Sequence, residues 1–145
     1  MANKIWFRDY SLEELNQRGK GNAVHHLGIE ITELGPNYLC GRMPVDYRTC
    51  QPYGILHGGS SVLLAETLGS LASNLILDPA KHYAVGLDVN ANHIRSVSEG
   101  YVTGKAILIH QGRSTHVWSI EIRNEQEALT CLSRLTMSVL PARSI

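Results

Sequence analysis

The stretch QPYGILHGGSSVLLAE, residues 51–66, decides how the rest of the chain is read. His57-Gly58-Gly59 reads as a loop that brings backbone close to something, and an apolar helical run follows it directly. That run contains a lone carboxylate, Glu66. The helix spans roughly 58–77, and Asp78-Pro79 stops it because the residue before a proline is pushed out of the helical region. At about 100° per residue, Val62, Ala65, Gly69, Ala72 and Ile76 form one stripe. Gly59, Glu66, Ser70 and Ser73 form a second stripe of small and polar residues, room for a ligand or for another helix. The helix carries almost no charge on any face, so it is expected to be buried.

Around this helix the pattern changes. Ser11 to Asn16 reads as a short helix with Ser11 as N-cap and Glu14 three residues on, a capping box. Gly19 and Gly21 end it. Residues 27–34 and 38–45 read as two strands of a hairpin around Gly35-Pro36-Asn37. After the helix the period is two, giving strands over 83–93, 100–110, 115–123 and 128–140. One buried helix and about six antiparallel strands give an α+β fold, a sheet curled around the helix. The 145 residues fit one domain, 1–145.

Composition excludes several function classes. The 13 basic and 13 acidic residues balance, which leaves no electrostatic footprint for nucleic acid. No cluster of Lys or Arg suits an anionic membrane. The longest apolar stretch, 61–77, is broken by Glu66 and falls short of a spanning helix. Cys40, Cys50 and Cys131 have neither disulfide-framework nor zinc-ribbon spacing, and the N-terminus lacks a secretory apolar region, so the expected location is cytoplasmic. No histidine pair has metal-ligand spacing on a helix, so neither metal nor cofactor is expected.

A carboxylate inside a helix is ordinarily paired to an arginine or held by backbone N–H groups. The start of this helix suggests more. A helix N-terminus offers unpaired N–H groups and partial positive charge, and beside a glycine it can approach a developing oxyanion. A carboxylate with an oxyanion site suggests acyl transfer or hydrolysis. Gly58 and Glu66 are eight residues apart, however, or about 12 Å at 1.5 Å per residue. One carbonyl group cannot touch both. If they share a site, Glu66 comes from a second copy of the helix, packed antiparallel, with two identical sites about a two-fold axis.

Gln51-Pro52-Tyr53-Gly54-Ile55-Leu56-His57-Gly58-Gly59 followed by Glu66 closely resembles the hotdog-fold acyl-CoA thioesterases. Within them it is similar to the branch acting on aromatic acyl-CoA thioesters, which includes hydrolases of 1,4-dihydroxy-2-naphthoyl-CoA in menaquinone synthesis, hydroxybenzoyl-CoA thioesterases and the proofreading thioesterases of enterobactin synthesis. Residues 43–49, residues 85–93 and Gly112-Arg113-Ser114 resemble that branch too. The resemblance implies a hotdog fold and hydrolysis of an aromatic acyl-CoA to free acid and CoA. It implies that Gly58 N–H polarises the carbonyl, that His57 and Gln51 orient thioester and water, and that Glu66 from a partner subunit is nucleophile or general base. Ser70 would assist the water and His93 would lie near the acyl group or pantetheine. Val85, Gly86, Arg95, Arg113 and Ser114 would hold CoA. It further implies a homodimer, paired into a dimer of dimers.

Four rivals stand beside this reading. A carrier-protein dehydratase also pairs His with an acid, but in another local pattern than His57-Gly58-Gly59. A non-catalytic acyl-CoA-binding module would share the scaffold. The aliphatic or phenylacetyl branch of thioesterases typically carries Asp and Asn where this chain has Glu66 and Gln51, which argues against it. A proofreading thioesterase would act on a misacylated aryl carrier protein rather than on CoA. The acyl group itself is not readable, because pocket specificity depends on a few side chains in three dimensions.

Overall fold

The computed structural model describes residues 3–143. Helix α1, Leu12–Gln17, begins at the capping box: Ser11 Oγ accepts the Glu14 N–H at 3.1 Å. A one-turn helix not anticipated from the sequence, α2, follows at Ala23–His26, with Asn22 Oδ1 accepting the Val24 N–H. Leu27 closes it by donating its N–H to Ala23 C=O, which is why strand β1 starts only at Glu30 and runs to Leu34. Then come β2 (Tyr38–Pro44), the long helix α3 (Gly58–Ile76), β3 (His82–His93), β4 (Tyr101–Gln111), β5 (Thr115–Arg123) and β6 (Leu129–Pro141). Among the described residues no helix is long and apolar enough to cross a membrane.

All six strands form one antiparallel sheet in the order β1-β2-β4-β5-β6-β3. The alternation in β5 is complete: His116, Trp118, Ile120 and Ile122 are buried, and the residues between them are half-buried. Those inward side chains, with Val102, Ala106, Leu135 and Met137, form the surface on which α3 lies.

Glycines set how closely helix and sheet approach. Gly41 of β2 stands opposite Gly104 of β4. A Cβ on Gly41 would lie 2.7 Å from Leu68 Cδ2, and one on Gly104 would lie 2.7 Å from Leu68 Cδ1. Leu68 therefore fills the dimple left by two missing side chains. On the helix side, Gly69 makes room for Leu135 in the same way.

The helix is not buried all round. Its sheet-facing side, with Leu64, Ala65, Leu68, Ala72 and Leu75, is buried, while Leu63, Glu66, Thr67, Ser70, Leu71 and Asn74 are only half-buried. The second stripe also needs correction at Ser73, which lies under the sheet rather than beside Glu66. Ser73 Oγ accepts Trp118 Nε1–H at 2.7 Å and meets His116 Nδ1 at 3.1 Å, both inside the core. The hydroxyl is thus used up in satisfying two buried polar groups that an apolar residue would leave unpaired.

Burial, with His110 nearby adding positive charge, holds the His116 imidazole below its ordinary value of 6.5. Below about pH 6.5 the unfolded chain takes up a proton that the folded chain resists, so this contribution is full above that pH and is lost as pH falls through it. The urea midpoint is expected to drop from pH 7 toward pH 5, and His116→Gln is expected to flatten that drop. An equal drop in the variant would assign the acid sensitivity to other groups.

Candidate active site

The loop before α3 is folded around hydrogen bonds that aim its side chains. Gln51 N–H donates to Ile55 C=O at 2.8 Å and Gly54 N–H returns to Gln51 C=O at 2.9 Å, with Gly54 at φ 80°, a conformation other residues rarely adopt. Gln51 Oε1 accepts the Tyr53 N–H. The NH₂ end of the Gln51 amide is left as a two-hydrogen donor.

His57 is the N-cap of α3, and its Nδ1 accepts the Gly59 N–H at 2.8 Å. An accepting Nδ1 puts the ring proton on Nε2, so the outward edge of the imidazole is a donor. Ser60 and Ser61 N–H groups both go to His57 C=O, at 3.0 and 3.3 Å. Of the first four amides of the helix, Gly58 N–H alone lacks such a partner among the described residues. His93, at the end of β3, lays its ring against Gly58: a Cβ there would come 2.8 Å from His93 Nε2. Gln51, Gly58, His93 and Arg95 line one cavity of about 350 Å³. His57, exposed, stands at the same end of the helix.

Glu66 lies elsewhere. Its carboxylate rests over Gly86 of β3, where a Cβ would overlap Glu66 Oε1. Among the described residues no cation pairs with it, which removes the ordinary reason for a carboxylate in such a helix. Glu66 and Ser70 line a second cavity, of about 460 Å³, between α3 and the α1–α2 segment. Its walls are mostly apolar: Leu15, Val24, Ile31, Leu63 and Leu71, with Arg18 among the polar ones.

The residues singled out in the sequence thus fall into two groups. Gln51, His57, Gly58, His93 and Arg95 gather at the N-terminal end of α3. Glu66, Ser70 and Gly86 gather further along it, with Val85 exposed beside Gly86. Arg113 and Ser114 are exposed in the β4–β5 turn, and Ser114 C=O accepts the Val139 N–H of the strand next to β3. A single chain holds unpartnered donors and a carboxylate without bringing them together. The cavity wall contributed by Leu15, Asn16, Arg18 and Val24 was not visible in the sequence, since a capping box locates a helix and not what it packs against.

The model of the thioesterase superfamily matches residues 53–131, more than half of the chain. The chain belongs to the thioesterase superfamily. It is 48% identical over 136 residues to the 1,4-dihydroxy-2-naphthoyl-CoA hydrolase of Escherichia coli K12, covering 94% of this chain and 99% of that protein. It is 47% identical over 136 residues to the proofreading thioesterase EntH of Cronobacter turicensis, covering 94% and 98%. The crystal structure of thioesterase HI1161 from Haemophilus influenzae superimposes with a TM-score of 0.93 at 51% identity, covering 97% of each chain. This superfamily member has the hotdog fold and is a thioester hydrolase.

The contact between Gly86 and Glu66 separates stability from chemistry. In Gly86→Ala the new methyl meets only the end of a flexible side chain, so the protein is expected to fold with a denaturation midpoint close to that of the parent. The displaced carboxylate is expected to lower kcat on the order of 10- to 100-fold, as misplacement by about 1 Å does elsewhere. Parent-level kcat would show that the resting place of Glu66 is irrelevant to turnover.

Proposed function

We propose that the chain hydrolyses aromatic acyl-CoA thioesters at sites built across a two-fold interface, each from Glu66 and Ser70 of one protomer and Gln51, His57 and Gly58 of its partner. The observation that carries this reading is the separation of an unpaired carboxylate from a set of unused donors, about eight residues along one helix. The free edge of the sheet supplies a way to pair. Strand β3 is a long edge with Val85 at 41% and Leu87 at 66% exposure, whereas the other edge, β1, is short and carries Glu30 and Glu33. Charged, short edges resist pairing and long apolar ones invite it. A dimer of dimers and a cytoplasmic location belong to the same proposal.

In such a site the thioester carbonyl sits against the partner's Gly58 N–H, with donors from His57 Nε2 and the Gln51 amide nearby. Acting as general base, Glu66 takes a proton from water as the oxygen attacks the carbonyl carbon. The negative charge that develops on the carbonyl oxygen is met by those donors, each of a kind worth roughly 10² to 10³ in kcat. Collapse expels the CoA sulfur as thiolate and frees the acid, and the proton on Glu66 is returned to the thiolate or to solvent. Acting as nucleophile, Glu66 would instead form a mixed anhydride with the acyl group, and water would then cleave it. Glu66→Asp distinguishes the two, because attack tolerates less displacement than proton transfer.

The acyl group is assigned to the cavity beside Glu66. About 460 Å³ with mostly apolar walls suits a flat one- or two-ring acyl group. A 1,4-dihydroxy-2-naphthoyl thioester, and with it a step of menaquinone synthesis, is the substrate suggested by the Escherichia coli relative. The near-equal identity to a proofreading thioesterase supports a second reading, an aryl group carried on a carrier protein. Val85, Gly86, His93, Arg95, Arg113 and Ser114 are proposed contacts for the CoA part. A screen of aromatic and aliphatic acyl-CoAs and an aryl carrier protein, with released thiol measured, tests the assignment. An aromatic acyl-CoA should give the highest kcat/KM, and preference for a short aliphatic or carrier-bound substrate would overturn it.

Glu66→Gln is isosteric and should keep fold and assembly while losing on the order of 10² to 10⁴ in kcat, the range of a positioned base. Mixing that chain with one inactivated at both Gln51 and His57 should restore activity, because one site of each heterodimer then holds an intact set. Absence of recovery in verified heterodimers would place both groups in one protomer. The mechanism uses only protein groups, so turnover is expected to survive exhaustive chelation. Loss on chelation that one metal reverses would replace it.

A further inference from the structure

Among the described residues strand β3 pairs with a strand on one side only, and at its start a side chain holds the other. Val139 N–H donates to Ser114 C=O on the β5 side at 2.9 Å. Val139 therefore turns its backbone groups away from β3, and Ala84, which stands opposite it, points its own N–H and C=O to the free edge. Asn74 of α3 takes both. Its Oδ1 accepts the Ala84 N–H at 2.9 Å, and its Nδ2 donates to Ala84 C=O at 3.1 Å. The second Nδ2 hydrogen goes back one turn to Ser70 C=O at 2.9 Å. The amide thus does for Ala84 what a paired strand would do, and both of its donor hydrogens are engaged.

Two residues beyond Ala84 is Gly86, the residue on which the Glu66 carboxylate rests. Glu66, Ser70 and Asn74 follow each other at four-residue intervals on the cavity side of α3. The clamp and the carboxylate are therefore joined through two short rigid paths, two turns of helix and two residues of strand. Where β3 stands relative to the helix decides how much room Gly86 leaves for the carboxylate.

We propose that Asn74 is a positioning residue for catalysis: by clamping Ala84 it fixes the distance between β3 and α3, and so the direction in which Glu66 presents its carboxylate. The proposal rests on the reading of Glu66 as the reacting carboxylate. Asn74 lines the acyl cavity, but with its donors committed to backbone it is not a group for binding the acyl chain. It also takes up the edge groups of Ala84, so a partner strand cannot pair at that residue.

The test compares Asn74→Ala with the parent in steady-state hydrolysis of an aromatic acyl-CoA, with hydrogen exchange followed at Ala84. Expected are faster exchange of the Ala84 amide, a kcat lower on the order of 10- to 100-fold and a KM within about twofold. Asn74→Asp, equal in shape, can still accept the Ala84 N–H but cannot donate to its carbonyl, and should fall between the two. It also carries the test if Asn74→Ala does not fold. A raised KM with parent kcat would make Asn74 a substrate contact and overturn the proposal. So would parent kcat with faster Ala84 exchange, a lowered kcat with unchanged exchange, or loss of fold in both variants. An active Glu66→Gln would instead bring down the underlying reading, and an inactive one beside an unaffected Asn74→Ala would bring down this inference alone.

Discussion

The placement of everything else depends on Leu68 sitting between Gly41 and Gly104. Two glycines facing each other across neighbouring strands leave a hole in the sheet surface, and a leucine fills it completely. Burying one such side chain contributes about 1.5–3 kcal/mol, and here it also fixes the rotation of the helix. Residues two apart on a helix point about 200° from each other. Driving Leu68 into the sheet therefore turns Glu66 and Ser70 to the opposite side, toward the cavity. An alanine at either glycine would lift the helix and rotate that side as well.

The distance between the donors and the carboxylate has a physical use. A free carboxylate close to unpaired N–H groups would bond to them, and a chain carrying both at one place would occupy its own donors. Keeping Glu66 two turns away along α3 leaves Gly58 N–H and the Gln51 amide available. In the assembly proposed above, the two groups meet only when two copies pair, with a thioester between them. The cap bond to Gly59 sets the tautomer of His57, which leaves its Nε2–H as a third donor for the proposed site.

Much of the fold was legible because its signals are local. Strand β5 was bounded correctly at 115–123, where inward and outward side chains alternate without a break. Helix α3 was placed to within one residue, since Asp78-Pro79 is an unambiguous stop. Helix α2 was missed because a single turn shows no periodicity. Ser73 was put on the wrong side because a helical stripe fixes which residues align but not where the neighbouring sheet ends. The same division holds at the site. The motif from Gln51 to Glu66 named residues that the fold gathers into two groups, whereas Asn74 and the wall from α1 and α2 depend on contacts between distant segments. Nothing in the spacing of Asn74 announces that Ala84 will face an open edge.

The two sides of α3 are under different constraints, and this bears on how such a protein can change over time. The sheet side is locked by close packing, where substitutions carry a penalty in stability. The cavity side beyond Glu66 meets the α1–α2 segment, which lies outside residues 53–131, the part matching the family as a whole. The cavity is thus walled partly by α3, inside that match, and partly by a segment outside it. With the acyl group proposed for this cavity, drift in Leu15, Arg18 or Val24 can reshape the pocket while Glu66, Ser70 and the core stay as they are, so that lineages could diverge in substrate without changing how the thioester is cut.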